Sequence, residues 1–221
     1  MTAWTSILSV SWASLKSAIH NGPPDKIEPL EEIVKKTWVA TLLLFAVVCA
    51  LGMRNAAHSQ SQNKGEKEAH EVRIGLAIAP VKLNLHGKDI HLVGLGSYIV
   101  NAQSACADCH SCPTYAVGHN PYLGQPKQFN ADNYLAGGVP FGPFTSANIT
   151  PDANGKPAGL TETQFRHVLR TGQDPDGSGR LLQVMPWPTF QSMTDHDIRA
   201  IYEYLRAIPP AQAGGCSGPG Q

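Results

Sequence analysis

Apolar residues recur along this chain in distinct rhythms. Over residues 3–19, Trp4, Ile7, Leu8, Trp12, Leu15 and Ile19 follow i, i+3, i+4 spacing until Asn21-Gly22-Pro23-Pro24 breaks the run. That rhythm predicts an amphipathic helix lying on a membrane interface or a partner subunit, with segment 1–29 as its unit. From Trp38 to Met53 the residues are almost wholly apolar. Sixteen residues fall short of the roughly 20 that span a bilayer, but Ile33 and Val34 lengthen the stretch if Lys35 and Lys36 snorkel. A transmembrane anchor over 30–53 is the expectation, with a cleaved signal segment and a buried soluble helix as the alternatives. His58 through His70 is polar without periodicity, which reads as a solvated tether within a linker over 54–85. Apolar residues return from Val72 to Leu85 and are expected to pack on the following domain or on a neighbour.

After residue 86 the pattern is that of a small helical domain. Asp89 is placed to cap a helix carrying Leu92, Leu95, Ile99 and Ala102. Thr161 and Gln164 make a capping-box pair ahead of Phe165, Val168 and Leu169, and Gly172 is placed to end that helix. Thr194 opens a third, whose Ile198, Ile201, Leu205 and Ile208 form one stripe until Pro209-Pro210. Between the first two, residues 113–157 are rich in Gly, Pro and Asn and show no strand-length alternation. Loops of that length inside a small domain imply a prosthetic group that supplies part of the core.

The chemistry sits at Cys106-Ala107-Asp108-Cys109-His110. Two thiols three residues apart share one face of a helical turn, and an imidazole follows at once, the arrangement of a c-type haem attachment site. A dithiol redox pair, a zinc site or an iron–sulfur site uses the same Cys spacing. Zinc lacks a second ligand pair at compact spacing among Cys112, Cys216, His119, His167 and His196. An iron–sulfur reading of Cys106, Cys109 and Cys112 lacks a fourth nearby thiolate. A second axial ligand is expected at Met185, in Met185-Pro186-Trp187-Pro188, where the two prolines predict a stiff extended loop rather than helix. Met193 is the rival, read instead as a staple residue beneath the next helix. With His110 and Met185 both on iron, no position is left for a substrate, which favours electron transfer over catalysis.

Gly96-Ser97-Tyr98-Ile99-Val100, the Cys-x-x-Cys-His run, Ala147-Asn148-Ile149-Thr150-Pro151-Asp152, Met185-Pro186-Trp187 and Tyr204-Leu205 before Pro209-Pro210 together resemble the class I cytochrome c domain. Within that class the pattern resembles bacterial domains akin to those in the cytochrome subunits of membrane-bound dehydrogenases, and the resemblance covers roughly residues 86–210. It implies an all-α fold with long loops around one covalently attached haem c, the first and last helices crossing near Gly96 and Tyr204. Cys106 and Cys109 would bind the porphyrin, and His110 and Met185 the iron. It also implies that the region after Met53 faces the periplasm from the bacterial cytoplasmic membrane, in agreement with Lys35 and Lys36 before the apolar run against Arg54 after it.

Composition narrows the partners. Seventeen Lys and Arg balance seventeen Asp and Glu, so nothing in the charge attracts nucleic acid. On the oxidising side, Cys112 and Cys216 are left over as a pair, which invites a disulfide and would pin the Gly-rich tail, 211–221, beside the haem. Cys49 lies in the apolar run as a packing residue. The expected function is that of a membrane-anchored monohaem cytochrome c moving single electrons between periplasmic or membrane redox partners. The alternative is a haem relay or cytochrome subunit of a larger membrane-bound oxidoreductase.

Overall fold

The computed structural model describes residues 29–216, without the side chains of 46–61 and a few others in the first helix. The helix expected over 3–19 lies outside them. The chain divides into two units, Met1–Ser61 and Gln62–Gln221.

Helix α1 runs Leu30–Ile78. In its first part the Thr37 and Thr41 hydroxyls donate to the Val34 and Thr37 carbonyls at 2.8 Å. Trp38, Leu42 and Phe45 are 66%, 64% and 69% exposed there. No helix among the described residues is long and apolar enough to cross a membrane, so the anchor expected over 30–53 gains no support from them. The tether reading is corrected in its secondary structure. Residues 62–78 are helical, because Glu, Lys, Gln and Ala all favour helix and because Val72 and Gly75 find a partner to pack on.

That partner is α2, Ile90–Tyr98, capped as expected by Asp89, whose carboxylate accepts from the His91 and Leu92 amides at 2.9 and 3.3 Å. Where α1 meets α2 the backbones touch. A Cβ on Gly94 would lie 2.7 Å from the Val72 Cγ1, and the Ser97 hydroxyl donates to the Gly75 carbonyl at 2.6 Å. The helix then widens into a π-turn, Ile99–Gln103, closed by the Ser104 amide on the Ile99 carbonyl at 2.8 Å. The short α3, Cys106–His110, follows.

Residues 113–157 are loop, as expected, broken only by single turns and by a two-residue hairpin of β1, Pro140–Phe141, and β2, Phe144–Thr145. Helix α4, Glu162–Thr171, carries the full Thr161–Gln164 capping box and ends on left-handed Gly172. The stiff-loop expectation for 185–188 is corrected in part. Trp187–Phe190 is a one-turn helix, α5, which tolerates Pro188 because the amide of a first-turn residue has no intrahelical acceptor to lose.

Helix α6, Asp195–Ala207, begins at Thr194 and crosses α2. At the crossing a Cβ on Gly96 would stand 2.7 Å from the Tyr204 Cβ and 2.5 Å from the Ala200 carbonyl carbon. Val93, Ile99 and Val100 on one side and Ile198, Ile201 and Leu205 on the other make the core, all buried. A hydrogen-bonded chain runs through it. The Tyr134 hydroxyl donates to Asn101 Oδ1 at 2.5 Å and meets the Tyr204 hydroxyl at 2.9 Å, and Asn101 Nδ2 donates to the Ser97 carbonyl at 3.0 Å. No buried side-chain polar atom among the described residues lacks a partner, so the polar chain fastens α1, α2 and α6 without the penalty of an orphaned group.

Candidate haem site

The Cys106–His110 turn follows the π-turn and Ala105, which takes a left-handed conformation at φ 48°. Their i, i+3 spacing sets Cys106 and Cys109 on one face of α3, and both line the same cleft as His110. The cleft has a volume of about 520 Å³, within the roughly 300–1,000 Å³ typical of cofactor sites. Phe141, Pro143 and Phe144 of the hairpin segment line it together with Ile149, Phe165 and Leu205 and with Leu181, Leu182, Val184 and Met185. At the rim, Arg180 is paired with Asp174 and, at 3.9 Å, with Asp176.

His110 is held in one tautomer. Its Nδ1 lies 2.8 Å from the Ala147 carbonyl, and a carbonyl only accepts, so Nδ1 carries the proton and Nε2 keeps a free lone pair. Burial lowers the pKa of the imidazole, with the bond to Ala147 opposing, so the neutral, ligating form is favoured at pH 7. The His110 carbonyl in turn accepts from the Gly137 amide at 2.7 Å.

The two thiols are held in the opposite sense to a redox pair. Burial pushes Cys106 up to about 12, and burial followed by the neighbouring Asp108 charge raises Cys109. A dithiol oxidoreductase works through a depressed thiol pKa, the opposite direction to both shifts here.

Met185 and Met193, the rivals for sixth ligand, are separated by the fold. Both pack on the core, but Met185 lines the cleft and Met193 does not. Met193 lies just before the Thr194 cap, where a staple residue belongs.

The donor set fits a haem. A haem would take its protein ligands to iron and its two thioether links from the chain, and this cleft offers one imidazole, one thioether and two thiols. No group of three or more His, Cys, Asp or Glu side chains sits together among the described residues, as a zinc or iron–sulfur centre held by protein alone would require. His167 bonds Gln173 Oε1 at 2.7 Å and His196 meets Glu68 at 3.3 Å, both at the surface.

Two features escaped the sequence reading. The Ala147 carbonyl carries no residue signature, since every residue has one. The 181–184 stretch that lines the cleft was also unread, although an apolar pair, Leu181-Leu182, one residue beyond the Gly-rich 177–179 was a signal for it.

The leftover cysteines are joined. Cys112 and Cys216 form a disulfide with Cα atoms 5.2 Å apart, inside the usual range.

No family model matches the chain, and no solved structure matches it. It is similar to the cytochrome c subunit of the quinone alcohol dehydrogenase of Gluconacetobacter polyoxogenes, 32% identical over 121 residues that make up 53% of this chain and 22% of that one. The same subunit from Gluconobacter oxydans strain 621H is 32% identical over 121 residues, 53% of this chain and 21% of its own. The gluconate 2-dehydrogenase cytochrome c subunit of Pantoea cypripedii is 31% identical over 124 residues, 55% of this chain and 25% of its own. The chain thus spans a quarter or less of the length of these curated relatives. Within the stretch that matches, the similarity supports a cytochrome domain.

Proposed function

We propose that this chain is a monohaem cytochrome c subunit that passes single electrons within a larger membrane-bound oxidoreductase. One observation carries the reading: α3 and the distant 181–185 segment bring Cys106, Cys109, His110 and Met185 onto a single apolar cleft. Cys106 and Cys109 would hold the porphyrin through thioethers, and His110 Nε2 and Met185 Sδ would be the protein's ligands to the iron. When bound, the haem supplies a one-electron iron couple whose potential is raised by methionine as sixth ligand. The chain's own residues orient the imidazole through Ala147, exclude water with Phe141, Phe144 and Leu205, and leave no ligand position for a substrate. The chain is accordingly a carrier, and any bond-making chemistry belongs to a partner. The names of the relatives, cytochrome c subunits of dehydrogenases, favour a subunit over a free carrier.

Anchoring belongs to the same proposal. The 30–53 segment would span the cytoplasmic membrane of a bacterium with Lys35 and Lys36 on the cytoplasmic side and the haem domain in the periplasm. The exposed apolar side chains of Trp38, Leu42 and Phe45 suit a lipid or partner-helix surface better than water.

The test is an optical spectrum of the purified protein, oxidised and reduced, followed by acidic solvent extraction. Haem that stays with the polypeptide, together with the far-red band of methionine on ferric iron, supports the reading. Extractable or absent haem sinks it, and retained haem without that band removes Met185 from the iron. Copurification of stoichiometric dehydrogenase subunits from detergent-solubilised membranes tests the complex, and recovery of the haem polypeptide alone in the soluble fraction would refute anchoring.

A further inference from the structure

The C-terminal tail touches both of the loops that orient His110. Its carbonyl is fixed by the Gly137 amide at 2.7 Å and its Nδ1 by the Ala147 carbonyl at 2.8 Å. Beside the first loop, the Gly214 amide donates to the Ala136 carbonyl at 2.8 Å. Gly138, at φ 91°, lies so close to the tail that a Cβ there would sit 2.8 Å from the Gly215 nitrogen. Beside the second loop, Asn148 Nδ2 donates to the Ala211 carbonyl at 2.8 Å, and the Ala211 amide donates to the Thr150 hydroxyl at 3.1 Å. The Cys112–Cys216 bond closes this tail onto the residue two beyond His110.

We propose that residues 211–216 form a strap that positions the His110 imidazole, and that reduction of Cys112–Cys216 by a dithiol releases the strap and shifts the electron affinity of the haem. The proposal rests on the haem reading above. Its physical basis is that a hydrogen bond from Nδ1 makes the imidazole a stronger donor to iron, which favours the oxidised state. Loosening the loop that carries Ala147 weakens that bond and moves the potential upward.

The chemistry balances. Cys216 is exposed while Cys112 is 1% exposed, so a thiolate of the reductant attacks the Cys216 sulfur and Cys112 leaves and takes a proton. The second thiol of the reductant then attacks the mixed disulfide, Cys216 leaves and takes a proton, and the reductant departs as its own disulfide. Two electrons and two protons end on the two cysteines.

The experiment compares the full-length protein with the Cys112→Ser/Cys216→Ser double variant by redox titration and by amide hydrogen exchange. The variant is expected to shift the reduced-to-oxidised ratio at fixed potential at least threefold toward reduced, about 28 mV for a one-electron couple. The Gly137 and Gly214 amides are expected to exchange at least tenfold faster. An unchanged potential with unchanged protection overturns the proposal. Two further arms guard against a variant that does not fold. Wild-type protein treated with a dithiol should lose the same protection and regain it on reoxidation, and Gly138→Val, which displaces the tail with both cysteines intact, should move the potential in the same direction. Protection that survives complete reduction, or an unmoved potential in Gly138→Val, overturns the strap. A polypeptide without covalent haem would instead refute the haem reading, and the exchange measurements would still decide the strap.

Discussion

Replacing Gly96 with alanine sets two effects of opposite sign against each other. In an isolated helix the change stabilises by about 1 kcal/mol, because alanine loses less backbone freedom. At the α2–α6 crossing the added carbon would meet the Ala200 carbonyl carbon at 2.5 Å and the Tyr204 Cβ at 2.7 Å, where ordinary contact begins at 3.4 Å. The obstruction is largely backbone, so no rotamer change relieves it and the helices must part by about 1 Å. A gap of that size forfeits roughly a quarter to a half of each dispersion contact across it. Val93, Ile99 and Val100 pack with Ile198, Ile201 and Leu205 in that core, so roughly twenty atom pairs at about 0.15 kcal/mol each lose about 0.8–1.5 kcal/mol. Overpacking strain adds roughly 1–3 kcal/mol. The balance is a net destabilisation of about 1–3 kcal/mol, larger for Gly96→Val. Denaturant unfolding followed by far-UV circular dichroism measures it, with Gly65→Ala as the control, since nothing lies within 4 Å of that position in α1. Should Gly96→Ala prove as stable as the parent, the close crossing is not what holds α2 against α6.

Other consequences are open to direct measurement. Met185→Ala should abolish the far-red ferric band while the haem stays attached to the polypeptide, and Met193→Ala should leave the band in place. Tyr134→Phe strands the Asn101 carboxamide oxygen in the core and should cost about 1–3 kcal/mol in urea unfolding, whereas a neutral result would mean that Asn101 finds another donor. Tyr115 donates to Asp108 at 3.2 Å, and burial first, with the Asp108 charge next, pushes its pKa up to about 12. The folded state then holds this proton where the unfolded chain has lost it, so stability should fall as pH rises from about 10 to about 12. Absorbance titration of the phenolates in the parent, Asp108→Asn and Tyr115→Phe checks this, and a Tyr115 that ionises near 10 in the parent would detach its loop from the attachment turn. Reducing the 104-residue separation closed by Cys112–Cys216 should destabilise the fold by up to about 4–5 kcal/mol on chain-entropy grounds, read as a lower denaturation midpoint in dithiol.

Local chemistry was legible in the sequence wherever it is decided by neighbours in the chain. Asp89, Thr161 and Thr194 cap their helices because a side-chain oxygen reaches an amide two or three residues on. Gly172 ends α4 because a left-handed residue is wanted there. The Cys106, Cys109 and His110 spacing likewise places three groups on one turn whatever surrounds it. Short-range rules failed where a distant partner intervened. Residues 58–70 looked like tether because their composition is polar, yet they continue one helix into 72–78, where Val72 and Gly75 pack, as expected of that apolar stretch, on Gly94 and Ser97 of α2, and that packing stabilises the helix. Pro186 and Pro188 argued against helix at 185–188 because proline breaks helix interiors, but the one-turn helix Trp187–Phe190 has almost no interior. What only the tertiary structure decided is which residues meet. Met185 and not Met193 lines the cleft, Ala147 rather than another carbonyl accepts the hydrogen bond from His110 Nδ1, and Cys112 comes within bonding range of Cys216. Each of these depends on where loops of high sequence separation come to rest, and that is set by the one packing of α2 against α6 and of the chain around the cleft, not by the pattern of any single segment.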